Sequence, residues 1–299
     1  MDAESARIFE VGPRDGLQNE EARLSVDQKV EMIERLVAAG VKDVEIGSFV
    51  HPKWVPQMAD TDRVAERLSP QDGVRYWALV PNQTGLERAI QVEVEHVATF
   101  MSASESHNQK NLNRSIDESL AELRATLEMA RRHDCEIRAY ISTAFGCPYE
   151  GRVDFERVLD IGDELLEAGA GLLSLGDTIG AGTPPQIEES CRRAVESFGA
   201  DRVALHLHDT QGLALTNAYV AWQVGVRQFD SAVGGTGGCP YAPGAAGNVA
   251  SEDLAHLFET MDVDTGLSLP DLLETSSWIA DTTDIDISSR YWHYWMADR

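Results

Sequence analysis

Lysine is nearly missing from this chain of 299 residues: Lys29, Lys42, Lys53 and Lys110 are the only four among 25 basic residues. Acidic residues number 50, so the formal net charge is −25. A single-sign field of that size repels polyanions, which excludes nucleic acid and an anionic membrane surface as partners. The acidity itself has two readings, an ordinary acidic enzyme or a protein suited to a salty cytoplasm. In the latter the screening length falls to about 3 Å at 1 M and self-repulsion is damped. Cysteine is scarce too: Cys135, Cys147, Cys191 and Cys239 lie far apart, with no Cys-x-x-Cys pair. That excludes a disulfide framework and a structural zinc site of the usual spacing. No apolar run reaches the roughly 18 residues a transmembrane helix needs. The opening Met-Asp-Ala-Glu-Ser has neither a basic nor an apolar targeting region, so the expected location is the cytoplasm.

What is present is alternation. Short β-branched or apolar runs recur at Ile8–Val11, Val41–Ile46, Val74–Val80, His96–Met101, Ile137–Thr143, Leu172–Leu175, Val203–Leu207 and Phe229–Val233. Amphipathic helical stretches follow them, beginning near Ser25, Ala59, Gly85, Ser115, Asp154, Pro184, Leu213 and Ser251. Ser25 with Gln28, and Ser115 with Glu118, read as capping boxes. Eight βα units without a Pro- or Ser-rich linker predict an α/β chain folded as a (β/α)8 TIM barrel. A doubly wound sheet is disfavoured because no Gly-x-Gly-x-x-Gly follows the first strand. The expectation is a single catalytic domain over residues 1–299, with the barrel at about 7–262. A C-terminal helical extension at about 267–299 would pack outside it, its Trp292 and Trp295 serving packing or subunit contact.

Catalytic groups of such barrels stand at the C-terminal strand ends, and the conspicuous polar motifs fall there. Strand one runs into Arg14-Asp15-Gly-Leu-Gln18, and strand two carries Glu45 and ends near Ser48. Strand five carries Tyr140 and Ser142, strand six ends in Asp177-Thr178, and strand seven ends in His206-Leu-His208. Residues i and i+2 of a strand share a face, so both imidazoles project to one side with Cα atoms about 6–7 Å apart. That is a chelating arrangement, and Asp15 and Asn248 are the best candidates for added oxygen donors. Two imidazoles, a carboxylate and an amide oxygen suit Mg or Mn, with Co possible, better than tetrahedral zinc. The glycine-rich stretch Gly234–Asn248 reads as a lid able to deliver Cys239 to that site. Gly-Cys-Pro-Tyr also occurs at Gly146–Tyr149, so the motif alone does not choose between Cys239 and Cys147.

These motifs carry a resemblance. Glu10-Val-Gly-Pro-Arg-Asp-Gly-Leu-Gln-Asn-Glu20, Ser48–Gln57, Ser174–Gly180, His206–Thr210 and Gly237–Tyr241 are similar to those of the 3-hydroxy-3-methylglutaryl-CoA lyase family, over roughly residues 7–262. The resemblance implies metal ligands Asp15, His206, His208 and Asn248. It implies Arg14 as the stabiliser of enolate charge and Cys239 as a mobile acid/base. Glu45, Asp177 and Tyr140 would support them, His206 or Asp15 would act as general base, and Gln18, Ser48, Ser142 and Thr178 would join Tyr140 in binding substrate. The implied reaction is retro-Claisen cleavage of an acyl-CoA thioester to acetoacetate and acetyl-CoA, in a homodimer or higher homo-oligomer. Rival expectations are a lyase for a longer branched 3-hydroxyglutaryl-CoA, a citramalate- or isopropylmalate-type condensing enzyme, and a metal-binding barrel without catalysis. The run Ser288–Trp295 matches no pattern of the family.

Overall fold

The computed structural model describes residues 4–238 and 247–299, and its eight strands close into a parallel barrel. They are β1 (Arg7–Glu10), β2 (Asp43–Ser48), β3 (Arg75–Leu79), β4 (His96–Ser102), β5 (Glu136–Ser142), β6 (Leu172–Asp177), β7 (Val203–Leu207) and β8 (Gln228–Ser231). Each pairs with its sequence neighbour, and β8 closes on β1 with Arg7 opposite Gln228 and Glu10 opposite Ser231. Strand bounds differ from the sequence expectation by no more than two residues.

The helices are α1 (Val26–Ala38), α2 (Thr61–Arg67), α3 (Gln83–Gln91), α4 (Glu105–Leu112), α5 (Ile116–Arg132), α6 (Phe155–Ala168), α7 (Pro184–Phe198), α8 (Ala214–Gln223) and α9 (Ser251–Thr260). Both expected capping boxes form, at Ser25 and Ser115. Helix α4 occupies a stretch with no helical apolar period, and of its residues only His107 and Asn108 are buried. Caps define it instead: Ser104 accepts from the His107 N–H, and Asn113 ends it in the left-handed region at φ 55°. Two further helices, α10 (Leu269–Thr282) and α11 (Arg290–Ala297), form the expected extension. Helix α10 packs against α1 and α9. Asp253 of α9 caps α11, accepting from the Ser289 hydroxyl at 2.7 Å and the Tyr291 N–H at 2.8 Å. Trp292 and Trp295 lie partly buried against the main core.

Side-chain parity sorts each strand. On β7, Val203, Leu205 and Leu207 face outward into the apolar layer beneath the helices, while Ala204 packs inside the barrel with Phe9, Trp77 and Leu172. A fully buried outward residue such as Leu205 contributes about 1.5–3 kcal/mol by leaving water. His206 shares the inward parity of Ala204 and so stands one layer above this apolar plug. At the floor, buried Asp43 accepts from Arg7, Arg75 and the Trp77 indole, tying β1, β2 and β3 together.

Candidate active site

Strand β1 leads into a π-helical turn, Gly12–Gly16, in which the N–H groups of Arg14, Asp15 and Gly16 all point at the Val11 carbonyl. Such turns concentrate at functional sites because they re-aim side chains. Glycine is required at its end, since a Cβ on Gly16 would overlap the Thr236 hydroxyl. The turn swings Arg14 and Asp15 over the barrel mouth.

There Arg14 is buried and shared between two carboxylates. Its Nε donates to Glu45 Oε2 at 2.7 Å, and Nη1 donates to Asp15. Burial alone would favour the neutral guanidinium, but Glu45 and Asp15 reverse that and hold it charged. Burial likewise pushes the Asp15 carboxyl upward, yet Arg14 and His206 outweigh it and bring it down to about 2. Tyr140 donates to Glu45 Oε2 at 3.1 Å, and burial keeps its phenol protonated.

The two histidines meet this pair. His206 Nε2 lies 3.2 Å from His208 Nε2 and 3.7 Å from Asp15 Oδ2. Strand β7 ends before His208, which is fixed instead by a bridge to Asn248. Asn248 donates its amide to Asp15 Oδ2 and to the Thr236 carbonyl, both at 3.1 Å. Burial, then His206, lowers His208 to about 4, so it is a neutral imidazole with a lone pair to offer. Ligand atoms of Asp15, His206 and His208 all lie within 4.8 Å of one another, a group able to hold a metal ion. Two ligands each about 2.1 Å from one octahedral ion stand about 3 Å apart, close to the separations found here. The residues present therefore fit a divalent cation.

A cavity of about 650 Å³ opens above the cluster. Of the residues expected from sequence, Arg14, Asp15, Gln18, Tyr140, Ser142, Thr178, His206 and His208 line it. Glu45 stands behind Arg14, and Asn248 behind Asp15. Two others do not reach the wall either. Ser48 is buried, accepting from the Val50 N–H at 3.2 Å and directed at the Leu79 carbonyl at 3.4 Å. Asp177 has the outward parity of β6, and both its oxygens accept backbone N–H groups, of Ala181 and Gly182. Burial nevertheless raises its pKa to about 6 against those amides. Cys239 lies outside the described residues. Cys147 is buried, with its sulfur engaged by the Ser104 hydroxyl at 2.9 Å and the Tyr149 N–H at 3.3 Å.

Sequence reasoning passed over two groups. One is the rim: His51, Trp54, Lys110 and Arg114 face the cavity, set there by the β2 loop and by α4 with the residues that follow it. The other is the polar layer beneath His206, where Arg138, Ser174 and Asp230 face inward. Inward parity on β5, β6 and β8 was a signal available for the second group, because a polar residue there cannot reach solvent.

The chain matches the HMGL-like family over residues 5–279. It is 46% identical to the hydroxymethylglutaryl-CoA lyase of Bacillus subtilis over 95% of both chains. It is 44% identical to the (R)-citramalyl-CoA lyase of Chloroflexus aurantiacus, over 93% of this chain and 91% of that one. Among solved structures, the Bacillus enzyme superposes with a TM-score of 0.96 at 44% identity, covering 99% of this chain and 100% of that one. A coenzyme A and 3-methylmalate complex of an Acinetobacter baumannii HMG-CoA lyase gives 0.91 at 33% identity, covering 96% and 93%. With the match extending from β1 into α10, this barrel and its Arg-Asp and His-x-His cluster belong to the HMGL-like family of lyases.

Proposed function

We propose that the protein is a hydroxymethylglutaryl-CoA lyase, cleaving 3-hydroxy-3-methylglutaryl-CoA to acetoacetate and acetyl-CoA. The observation that carries this reading is the cluster Arg14, Asp15, His206 and His208 at the base of the cavity, with Arg14 locked by Glu45. Asp15, His206, His208 and Asn248 would hold a divalent cation, Mg or Mn before Co by the hardness of the oxygen donors. Bound there, the cation supplies Lewis acidity that lowers the pKa of the substrate's tertiary hydroxyl. With His206 Nδ1 facing Asp230 and Nε2 facing the cluster, Asp15, whose Oδ2 lies 3.7 Å from His206 Nε2, is the group left to take the hydroxyl proton. Arg14 offers a fixed charge to the thioester oxygen as the carbon–carbon bond breaks and enolate character develops. Cys239 would then protonate the enolate carbon.

The rim fits the thioester carrier. In a chain of net charge −25, His51, Lys110 and Arg114 bring basic groups together beside the exposed Trp54, suiting the phosphates and base of coenzyme A. Among the described residues no helix is long and apolar enough to cross a membrane. A cytoplasmic, homo-oligomeric enzyme with one catalytic domain completes the proposal.

The test is direct: purified protein with Mg²⁺ or Mn²⁺ and the methylglutaryl thioester should release acetoacetate and lose activity to a chelator. The citramalyl thioester and a longer branched one belong in the same assay, because relatives at 44% and 45% identity bear names with those substrates. A higher kcat/KM for either would replace the acyl group proposed. Condensation with a 2-oxo acid, without cleavage, would overturn the reaction class.

A further inference from the structure

Beneath the metal-site cluster lies an ion pair that the proposed chemistry does not use. Arg138 on β5 donates from Nη2 to Asp230 Oδ1 on β8 at 2.5 Å, and both side chains are wholly shielded from solvent. The Arg138 guanidinium is held between two rings, with its Cζ 4.1 Å from the Phe9 centroid and 4.7 Å from that of Tyr140. A pair this deep contributes little net stability, because desolvation offsets most of the Coulomb attraction. Its presence inside the barrel therefore calls for another reason.

The other oxygen of Asp230 supplies one. Oδ2 accepts from the Ser174 hydroxyl at 3.0 Å and faces His206 Nδ1 at 3.1 Å. With Arg138 and Ser174 both donating to it, Asp230 stands as an acceptor, and an acceptor facing Nδ1 selects the imidazole form with its proton there. A neutral ring carries one such proton, so Nε2 keeps its lone pair. Nε2 is the atom that meets His208 and Asp15. Tyr140 sits edge-on to the same ring, centroids 5.7 Å apart at 88°, which limits its rotation.

We propose that Asp230, held by Arg138 and Ser174, is a positioning residue that fixes the Nδ1–H tautomer and the ring orientation of His206, so that Nε2 faces the cation. This rests on reading Asp15, His206 and His208 as the metal site. Asp230 touches neither substrate nor cation and acts through His206, as carboxylates behind metal-bound histidines do. The arrangement spans four strands: Arg138 on β5 and Ser174 on β6 orient Asp230 on β8, which orients His206 on β7.

Two readouts test it without relying on turnover. In the metal-free enzyme with ¹⁵N-labelled histidine, long-range ¹H–¹⁵N spectra should show His206, assigned by its loss in His206→Gln, as the Nδ1–H tautomer. In Asp230→Asn, an amide N–H can face Nδ1 and move the proton to Nε2. Calorimetry with Mn²⁺ alone should then give a Kd weakened about 10–100-fold. A merely structural role predicts a lower melting temperature with an unchanged tautomer and unchanged Mn²⁺ affinity, and that result overturns the proposal. If Asp230→Asn does not fold, the parent spectrum still decides, since an Nε2–H tautomer in the parent is incompatible with it. A parent that binds no Mn²⁺ instead refutes the metal-site reading, while the tautomer spectrum reports separately on the Asp230 contact.

Discussion

Replacing Arg14 with glutamine separates two jobs that the structure gives one side chain. Arg14 is the shared charged partner of buried Glu45 and partly buried Asp15; Glu45 Oε2 otherwise accepts only from the Tyr140 hydroxyl, and its Oε1 accepts from none of the described residues. Removing one member of a buried ion pair typically costs about 3–5 kcal/mol, because the remaining charge is left uncompensated. At about 2 °C per kcal/mol for a chain of this size, metal-free Arg14→Gln should melt about 6–10 °C below the parent. A divalent cation adds positive charge beside Asp15. At a concentration about 100-fold over its Kd it contributes about 2.7 kcal/mol, so the gap to the metal-free parent should narrow by about half or more on adding Mn²⁺. Turnover should not recover with it. Loss of a preorganised donor to a developing oxyanion lowers kcat by about 10²–10³. Scanning fluorimetry with and without Mn²⁺, beside the acetoacetate assay, reads both effects. A metal-free melting temperature within 2 °C of the parent would refute the ion-pair argument. Loss of Mn²⁺ binding would show that Arg14 holds the site together rather than stabilising charge.

Three other outcomes follow from named contacts. Gly234→Ala should cost about 1–2 kcal/mol in urea unfolding, because φ is +70° there and an added Cβ would lie 2.8 Å from Ile287 Cδ1; unchanged stability would show that this turn relaxes freely. Burial raises Glu252 from 4.5 to about 7 against its bonds from Ser276 and Gly234. The unfolded chain therefore releases this proton first as pH rises, and the parent should lose stability relative to Glu252→Gln across pH 4.5–7, then level off; a difference constant over that window contradicts the shift. With a net charge of −25, the melting temperature should rise between dilute buffer and molar KCl as self-repulsion is screened. A flat or falling profile would leave the acidity without a salt-adaptive meaning.

The eight-unit alternation, both capping boxes and the inward pairing of His206 with His208 were legible in the chain itself. Each depends on periodicity or on contacts within a few residues. Helix α4 escaped because caps rather than an apolar stripe define it. Asp177 looked catalytic from its motif, but the alternation along β6 turns its carboxylate outward onto the Ala181 and Gly182 amides. Barrel closure alone decided the rest. It set Asp15 against His206 and Asn248 across most of the chain length, and it brought Arg138, Ser174 and Asp230 from three strands to one point beneath the histidines. Local sequence can specify which face a residue takes, because that is a matter of a two-residue period. Which other face it meets depends on the register with which eight strands close.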